Sequence, residues 1–174
     1  AKMICEKYKL YHLSTGEILR NEIESNSELG KSVKELIDSG KLVSDEVIIK
    51  ILNSIINGNL NDKFSGYLFD GFPRNIGQAK LLTDLLNSLD IKLDCVLLIE
   101  VDEPILLERI LSRKKSEGRS DDNMETLASR LSIYSKETEP LIEHYSTNHI
   151  TKKICGIGEI NEVNQRINNV LEVL

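Results

Sequence analysis

Two kinds of hydrophobic pattern alternate along this chain. Short runs at 10–13, 67–70, 95–101 and 150–155 read as β-strands, the one at 95–101 nearly unbroken in apolar residues. Longer segments with helical periodicity separate them. Residues 2–9 read as the end of a helix, and Ser14-Thr15-Gly16 as a turn into a helix that starts near Glu17. Residues 28–39 and 45–57 predict two more helices, divided at Ser39-Gly40-Lys41, and 75–88 another. Asp102 reads as an N-cap with Pro104 in the first turn of a helix that runs to about residue 114. After a polar stretch at 115–120, Asp122 with Glu125 resembles a capping box for a helix carrying Leu127, Leu131 and Tyr134. Residues 160–174 predict a last helix. The 95–101 run has the pattern of a strand covered on both faces. Strands alternating with helices predict an α/β fold with a parallel, doubly wound sheet.

Length and composition narrow the class. The 174 residues suffice for one domain with a sizeable core, and 40% hydrophobic residues with 5% aromatics and no Trp suit an aliphatic one. A net charge of −6 argues against a general nucleic-acid binder, although it leaves room for a local basic cleft. Cys5, Cys95 and Cys155 lie far apart with no C-x-x-C spacing, so neither a zinc site nor a disulfide framework is indicated. Free thiols fit a reducing, cytoplasmic setting. No apolar run reaches the roughly 18 residues of a membrane span, so no membrane partner is expected.

The chemistry concentrates in Asp70-Gly71-Phe72-Pro73-Arg74, with Gln78 behind it. The run sets a carboxylate beside a guanidinium at the end of a strand, where parallel-sheet proteins bind ligands. A carboxylate there suits a Mg²⁺ shell and an arginine suits phosphate. A tight turn with an exposed ion pair is the plainer alternative. Only seven of the 22 basic residues are arginine: 20, 74, 109, 113, 119, 130 and 166. Arginine is the better planar, bidentate partner for phosphate, so their positions carry information. Arg109 and Arg113 share a helix face; they could pair with Glu103, Glu108 or Glu117 instead. Arg130 could be an ordinary helix-surface residue. Arg166 reads as surface, with no chemistry around it.

The segments LSTGEILR (13–20), GKLVSDE (40–46) and GYLFDGFPRNIGQA (66–79), the helix with Arg109 and Arg113, GRSDDN (118–123) and Arg130 stand in a specific order and spacing. In that order the chain resembles the adenylate kinases, of the short-lid nucleoside monophosphate kinase type, from Ala1 to its last residue. The resemblance implies a single kinase domain over 1–174, with an AMP-binding part at 14–43 and a short lid at 113–122. It implies that Thr15, Arg20, Lys41, Leu42, Val43, Gly71, Arg74 and Gln78 hold AMP, Arg20 and Arg74 gripping its phosphate and Gln78 reading the adenine. Arg109, Arg113 and Gly158 would meet ATP. Arg119 and Arg130, which also reach AMP, would close with Arg113 and Arg74 on the transferring phosphoryl group. Asp70 would order Mg²⁺ through water, and Asp121 and Asp122 would orient the lid arginines. The bond before Pro73 is expected to be cis. The implied reaction is ATP + AMP ⇌ 2 ADP, in the cytoplasm, by a monomer that binds neither nucleic acid nor membrane.

Thr15 and Gln78 favour AMP over a pyrimidine nucleotide, since the related UMP/CMP kinases usually carry Ala and an asparagine-based pattern there; Asn75 follows the pyrimidine enzymes. The lid has no cysteines for zinc. One departure stands out. The family's phosphate loop, G-x-x-x-x-G-K-[ST], does not occur; Gly30-Lys31-Ser32 comes nearest, but Ser25 stands where the first glycine belongs and no strand precedes it. Ala1-Lys2-Met3-Ile4 matches the helix just after that loop. The expectation is therefore a sheet lacking its central first strand, a chain unstable alone or in need of another strand, and a sequence that is part of a longer protein. UMP/CMP kinase and an inactive AMP-binding fragment remain the alternative functions.

Overall fold

Residues 1–58, 63–117, 121–147 and 150–173 are described in the computed structural model of this chain. Their contacts divide it into two units, 1–91 and 92–174. Each unit holds one pair of parallel strands joined through helices, as an α/β pattern requires.

In the first unit the order is α1 (Lys2–Tyr8), β1 (Leu10–Ser14), α2 (Thr15–Glu24), α3 (Glu28–Asp38), α4 (Asp45–Gly58), β2 (Gly66–Asp70) and α5 (Ile76–Ser88). β1 and β2 pair in parallel with Leu10 opposite Gly66 and Ser14 opposite Asp70. Both strands thus end level, and the residues that follow them, Thr15 and Gly71, are brought together. Ile48, Leu52 and Ile56 recur every four residues on α4 and put one face of that helix into the core. Leu13, Leu52, Ile56 and Leu82 are fully buried. Gly30 lies inside α3, buried against α2; a Cβ there would stand 2.1 Å from the Glu22 carbonyl oxygen. Close helix packing is the reason for this glycine, in agreement with the rejection of Gly30-Lys31-Ser32 as a phosphate loop.

The second unit runs β3 (Val96–Glu100), α6 (Glu103–Glu117), α7 (Met124–Ile133), a π-helical turn (Tyr134–Thr138), α8 (Pro140–Ser146), β4 (Thr151–Cys155) and α9 (Ile160–Leu171). β3 and β4 are parallel, with Val96 opposite Thr151 and Glu100 opposite Cys155. Ile110, Leu127, Leu141, Tyr145, Ile154 and Ile167 form its core.

The α/β class with parallel strands holds, and among the described residues the strands make two two-stranded sheets. Several sequence expectations need correction. β3 is not covered on both faces among the described residues: Ile99 is 47% exposed. Helix α6 continues past residue 114 to Glu117, since nothing before Gly118 breaks it. Asp122 does not cap α7. The cap is Asn123, whose Oδ1 accepts the Thr126 N–H at 2.9 Å, because the Asp122 carboxylate is engaged elsewhere. Helix α8 and the π-helical turn have no counterpart in the sequence reading.

Candidate functional site

The first unit gathers its candidate residues just beyond the carboxyl ends of β1 and β2. Gly71 has φ +73°, a conformation that favours glycine, and the Phe72–Pro73 bond is cis as expected. The Gly71 carbonyl accepts two hydrogen bonds, from Thr15 Oγ1 at 3.0 Å and from Arg74 Nε at 2.8 Å. A side chain at Gly71 would crowd both groups, its Cβ lying 3.0 Å from Arg74 Nη2 and 3.4 Å from Thr15 Oγ1. Arg20 folds back over Gly16, where an added Cβ would lie 3.3 Å from both of its terminal nitrogens. Thr15, Lys41, Leu42, Val43, Gly71, Arg74 and Gln78 line one cavity of about 50 Å³ with Leu19, Ile37, Ile48 and Phe72. Seven of the ten residues expected to reach AMP therefore share one cleft, and Arg20 lies over Gly16 in its wall; Arg130 belongs to the second unit, and Arg119 lies outside the described residues.

Gln78 is 2% exposed, and its amide is oriented at both ends. Its Oε1 accepts the Arg74 N–H at 2.8 Å, and its Nε2 donates to Asp45 Oδ1 at 2.9 Å. A primary amide has two lone pairs and two protons, so each end keeps capacity for one more bond. Asn75 caps α5, its Oδ1 accepting the Gln78 N–H at 2.7 Å while its Nδ2 donates to Asp45 at 3.3 Å. Asp45 is a positioning residue that the sequence reading missed. The only available signal was its place in the GKLVSDE segment. His12 was missed as well: its Nε2 lies 3.0 Å from Asp70 Oδ2, at the open end of the strand pair. The Asp70 side chain itself is 48% exposed.

The second unit builds its site from charges. Arg113 grips Asp122 with two bonds, Nε to Oδ2 and Nη2 to Oδ1, both 2.7 Å. Arg130 donates Nη1 to Asp122 Oδ1 at 3.2 Å and Nη2 to Asp121. Asp121 and Asp122 are 3% and 0% exposed, so two carboxylates are taken out of water and neutralised by two guanidiniums. The Arg113 and Arg130 side chains keep 35% and 28% of their surface in solvent. Arg113 and Arg130 both hold buried carboxylates, so neither is an ordinary surface residue. Arg119 lies outside the described residues, as does part of the 113–122 segment. Arg109 Nη2 donates to the Gly158 carbonyl at 3.0 Å. Arg166 is not a plain surface residue either: its Nη1 donates to the carbonyls of Cys155 at 2.9 Å and Ile157 at 2.5 Å. A larger cavity of about 390 Å³ lies between α6 and α7, but its wall is Pro104, Leu106, Leu107, Met124, Leu127, Ala128 and Leu131 with Glu103, a lining with no cation for phosphate.

Among the described residues no helix is long and apolar enough to cross a membrane. None of them forms a group of three or more His, Cys, Asp or Glu placed to hold a metal ion. Burial pushes the Cys5 and Cys95 thiols above their ordinary 9.0, with Asp70 and Glu6 adding to the effect at Cys5 and Asp94 at Cys95.

A family model described as adenylate kinase matches residues 1–150. An adenylate kinase of Prochlorococcus marinus is 43% identical over 171 residues, 98% of this chain and 90% of the relative. One of Flavobacterium psychrophilum is 41% identical over 175 residues, 100% of this chain and 91% of the relative. One of Azobacteroides pseudotrichonymphae is 43% identical over 167 residues, 96% and 86% of the two chains.

Proposed function

We propose, from the premise that the chain belongs to the adenylate kinase family, that it carries out ATP + AMP ⇌ 2 ADP as one nucleoside monophosphate kinase domain. The observation that carries the AMP half is the single cleft lined by Thr15, Lys41, Leu42, Val43, Gly71, Arg74 and Gln78. Arg20 and Arg74 supply two guanidiniums for a phosphate, and the remaining bond on each end of the Gln78 amide suits a donor–acceptor pair on an adenine edge. A pocket for a drug-sized ligand runs to about 300–1,000 Å³, so a 50 Å³ cavity requires residues 14–43 to open for AMP. Asn75, the one position that follows the pyrimidine enzymes, is occupied in capping α5 and bonding Asp45, which weakens its weight for UMP or CMP.

Phosphoryl transfer needs positioning and charge neutralisation rather than a side-chain nucleophile. Arg74, Arg113, Arg119 and Arg130 would neutralise the transferring group, with Asp121 and Asp122 fixing the guanidinium planes of Arg113 and Arg130 before substrate arrives. Arg119 and Arg130 would reach AMP as well. Arg109 and the Gly158 loop would meet ATP. Closure of the 113–122 lid would exclude the water that otherwise hydrolyses ATP. Mg²⁺ fits the donors present as an ion held by the nucleotide phosphates: Asp70 offers one exposed carboxylate, enough to hold a hydrated Mg²⁺ through its water but not a cage. When bound it would offset phosphate charge. We take the protein to act in the cytoplasm as a monomer.

ATP turnover also requires a backbone cradle for its phosphates, and no G-x-x-x-x-G-K-[ST] run occurs in these 174 residues. AMP binding and turnover are therefore separate tests. Rates with ATP plus AMP, CMP or UMP should favour AMP at least about tenfold; a tenfold ratio corresponds to about 1.4 kcal/mol of transition-state discrimination. A CMP or UMP preference would overturn the substrate assignment. AMP binding without any turnover would favour an inactive AMP-binding protein.

A further inference from the structure

We infer that Arg166 is a positioning residue for nucleobase selection: it holds the 155–158 loop so that its peptide groups present a fixed donor–acceptor pattern to the base of ATP. The inference rests on the proposal that this loop meets ATP. It starts from three carbonyls on one short segment. Arg166, on α9, takes those of Cys155 and Ile157 with a single nitrogen, and Arg109, on α6, takes that of Gly158. The other side of the loop is fixed too. The Gly156 N–H donates to the Glu100 carbonyl at 2.8 Å, and a Cβ at Gly156 would strike the Val101 and Ile99 side chains at 2.5 and 2.6 Å.

The placement of Arg166 is not what a solvated helix residue adopts. Helical side chains lean toward the N-terminus of their own helix, and this one reaches back past the first turn of α9 to the loop before it. A cation over the positive end of a helix is electrostatically uphill. The loop carbonyls offset that, as do Glu159 and Glu162, which form the capping box of the same helix. Gly158 has φ +109°, and a Cβ there would stand 2.3 Å from Glu162 Oε2. The backbone at this point is thus set by two guanidiniums and a cap rather than by side-chain packing. Adenine and guanine present opposite donor and acceptor groups at the edge where they differ. A peptide plane that rotates exchanges its N–H for its C=O, so a loosened loop loses the distinction between them.

The test compares Arg166→Met and Arg166→Lys with the full wild-type chain, using amide exchange and kinetics with ATP and GTP. Arg166→Met should raise amide exchange at 156–158 at least tenfold and KM for ATP about tenfold. It should leave kcat and the KM for AMP within twofold and lower the ATP-over-GTP preference. Arg166→Lys, which keeps the charge but not the planar fork, should fall between. An Arg166→Met protein with unchanged ATP KM and ATP-over-GTP preference overturns the inference, as does one in which kcat and both KM values deteriorate together. If the wild-type chain shows no turnover, the proposed activity fails while this inference is still decided. It then stands only if ATP alone slows exchange at 156–158 in the wild type and not in Arg166→Met.

Discussion

The two units build their candidate chemistry by different physics. In the first unit the largest fully buried side chains described are Leu13, Leu52, Ile56 and Leu82, and the site is a web of mostly neutral bonds around the Gly71 carbonyl and the Gln78 amide. In the second, the fully buried side chain is Asp122, and the site is an ion-pair cluster. Among the described residues, seven large hydrophobic side chains of that unit, from Ile99 to Val173, are exposed, against Met3 in the first. A neutral web can lose one bond for a small cost, whereas a buried charge that loses its partner leaves the other uncompensated. The first unit should thus be robust in fold and sensitive in binding, and the second the reverse.

The largest effect should come from Asp122→Ala. It removes the carboxylate that Arg113 and Arg130 share, and we expect a loss of about 3 kcal/mol, the low end of about 3–5 for broken buried pairs because both guanidiniums are partly solvated and Arg130 keeps Asp121. Urea unfolding monitored by amide exchange should show the loss confined to 92–174. A loss spread evenly over both units would contradict the contrast. Arg74→Ala should come next, lowering kcat/KM with AMP about 100-fold with the urea midpoint nearly unchanged. Equal kinetics for variant and wild type would remove Arg74 from the site.

How much of this was legible in the sequence follows the same division. The first site is largely local: Asp70 to Gln78 is one run, and the turn chemistry of Gly71, Pro73 and the helix start lies within it. What could not be read was the partner of the Gln78 amide, because Asp45 sits 33 residues away and no periodicity reports that contact. The second site misled in a specific way. Asp122 and Asn123 are both good N-caps, and local preference cannot choose between them. Two arginines, nine residues before and eight after Asp122, decide it by claiming the carboxylate and leaving the amide to cap. Arg166 was passed over for the same reason, since its partners are backbone carbonyls, which have no residue identity to notice. The strand and helix pattern was legible in the described segments apart from α8 and the π-helical turn, but which strands pair is not something apolar runs encode.

Smaller effects sharpen the comparison. Thr15→Val removes one neutral bond to a carbonyl that still receives Arg74 Nε, so KM for AMP should rise only about fivefold, the equivalent of about 1 kcal/mol. A change as large as that of Arg74→Ala would mean that the web is not redundant. The thiols give the smallest signal. With the folded-state pKa of Cys5 and Cys95 raised above 9.0, the protonated thiol favours the fold; that contribution is complete below pH 9 and is lost as pH climbs beyond it. The urea midpoint should fall between pH 8 and pH 10, and thiol labelling at pH 8 should take exposed Cys155 first and buried Cys5 last. A midpoint that rises over that interval would have the wrong sign.

The central claim is the AMP cleft of the first unit, and titrating the ¹⁵N-labelled chain with AMP tests it most directly, since it needs no ATP cradle. Saturable shifts at the amides of Thr15, Gly16, Gly71, Arg74 and Gln78, absent from Arg74→Ala, are the predicted result. AMP that leaves those amides unmoved, or that shifts only amides between 92 and 174, would contradict it.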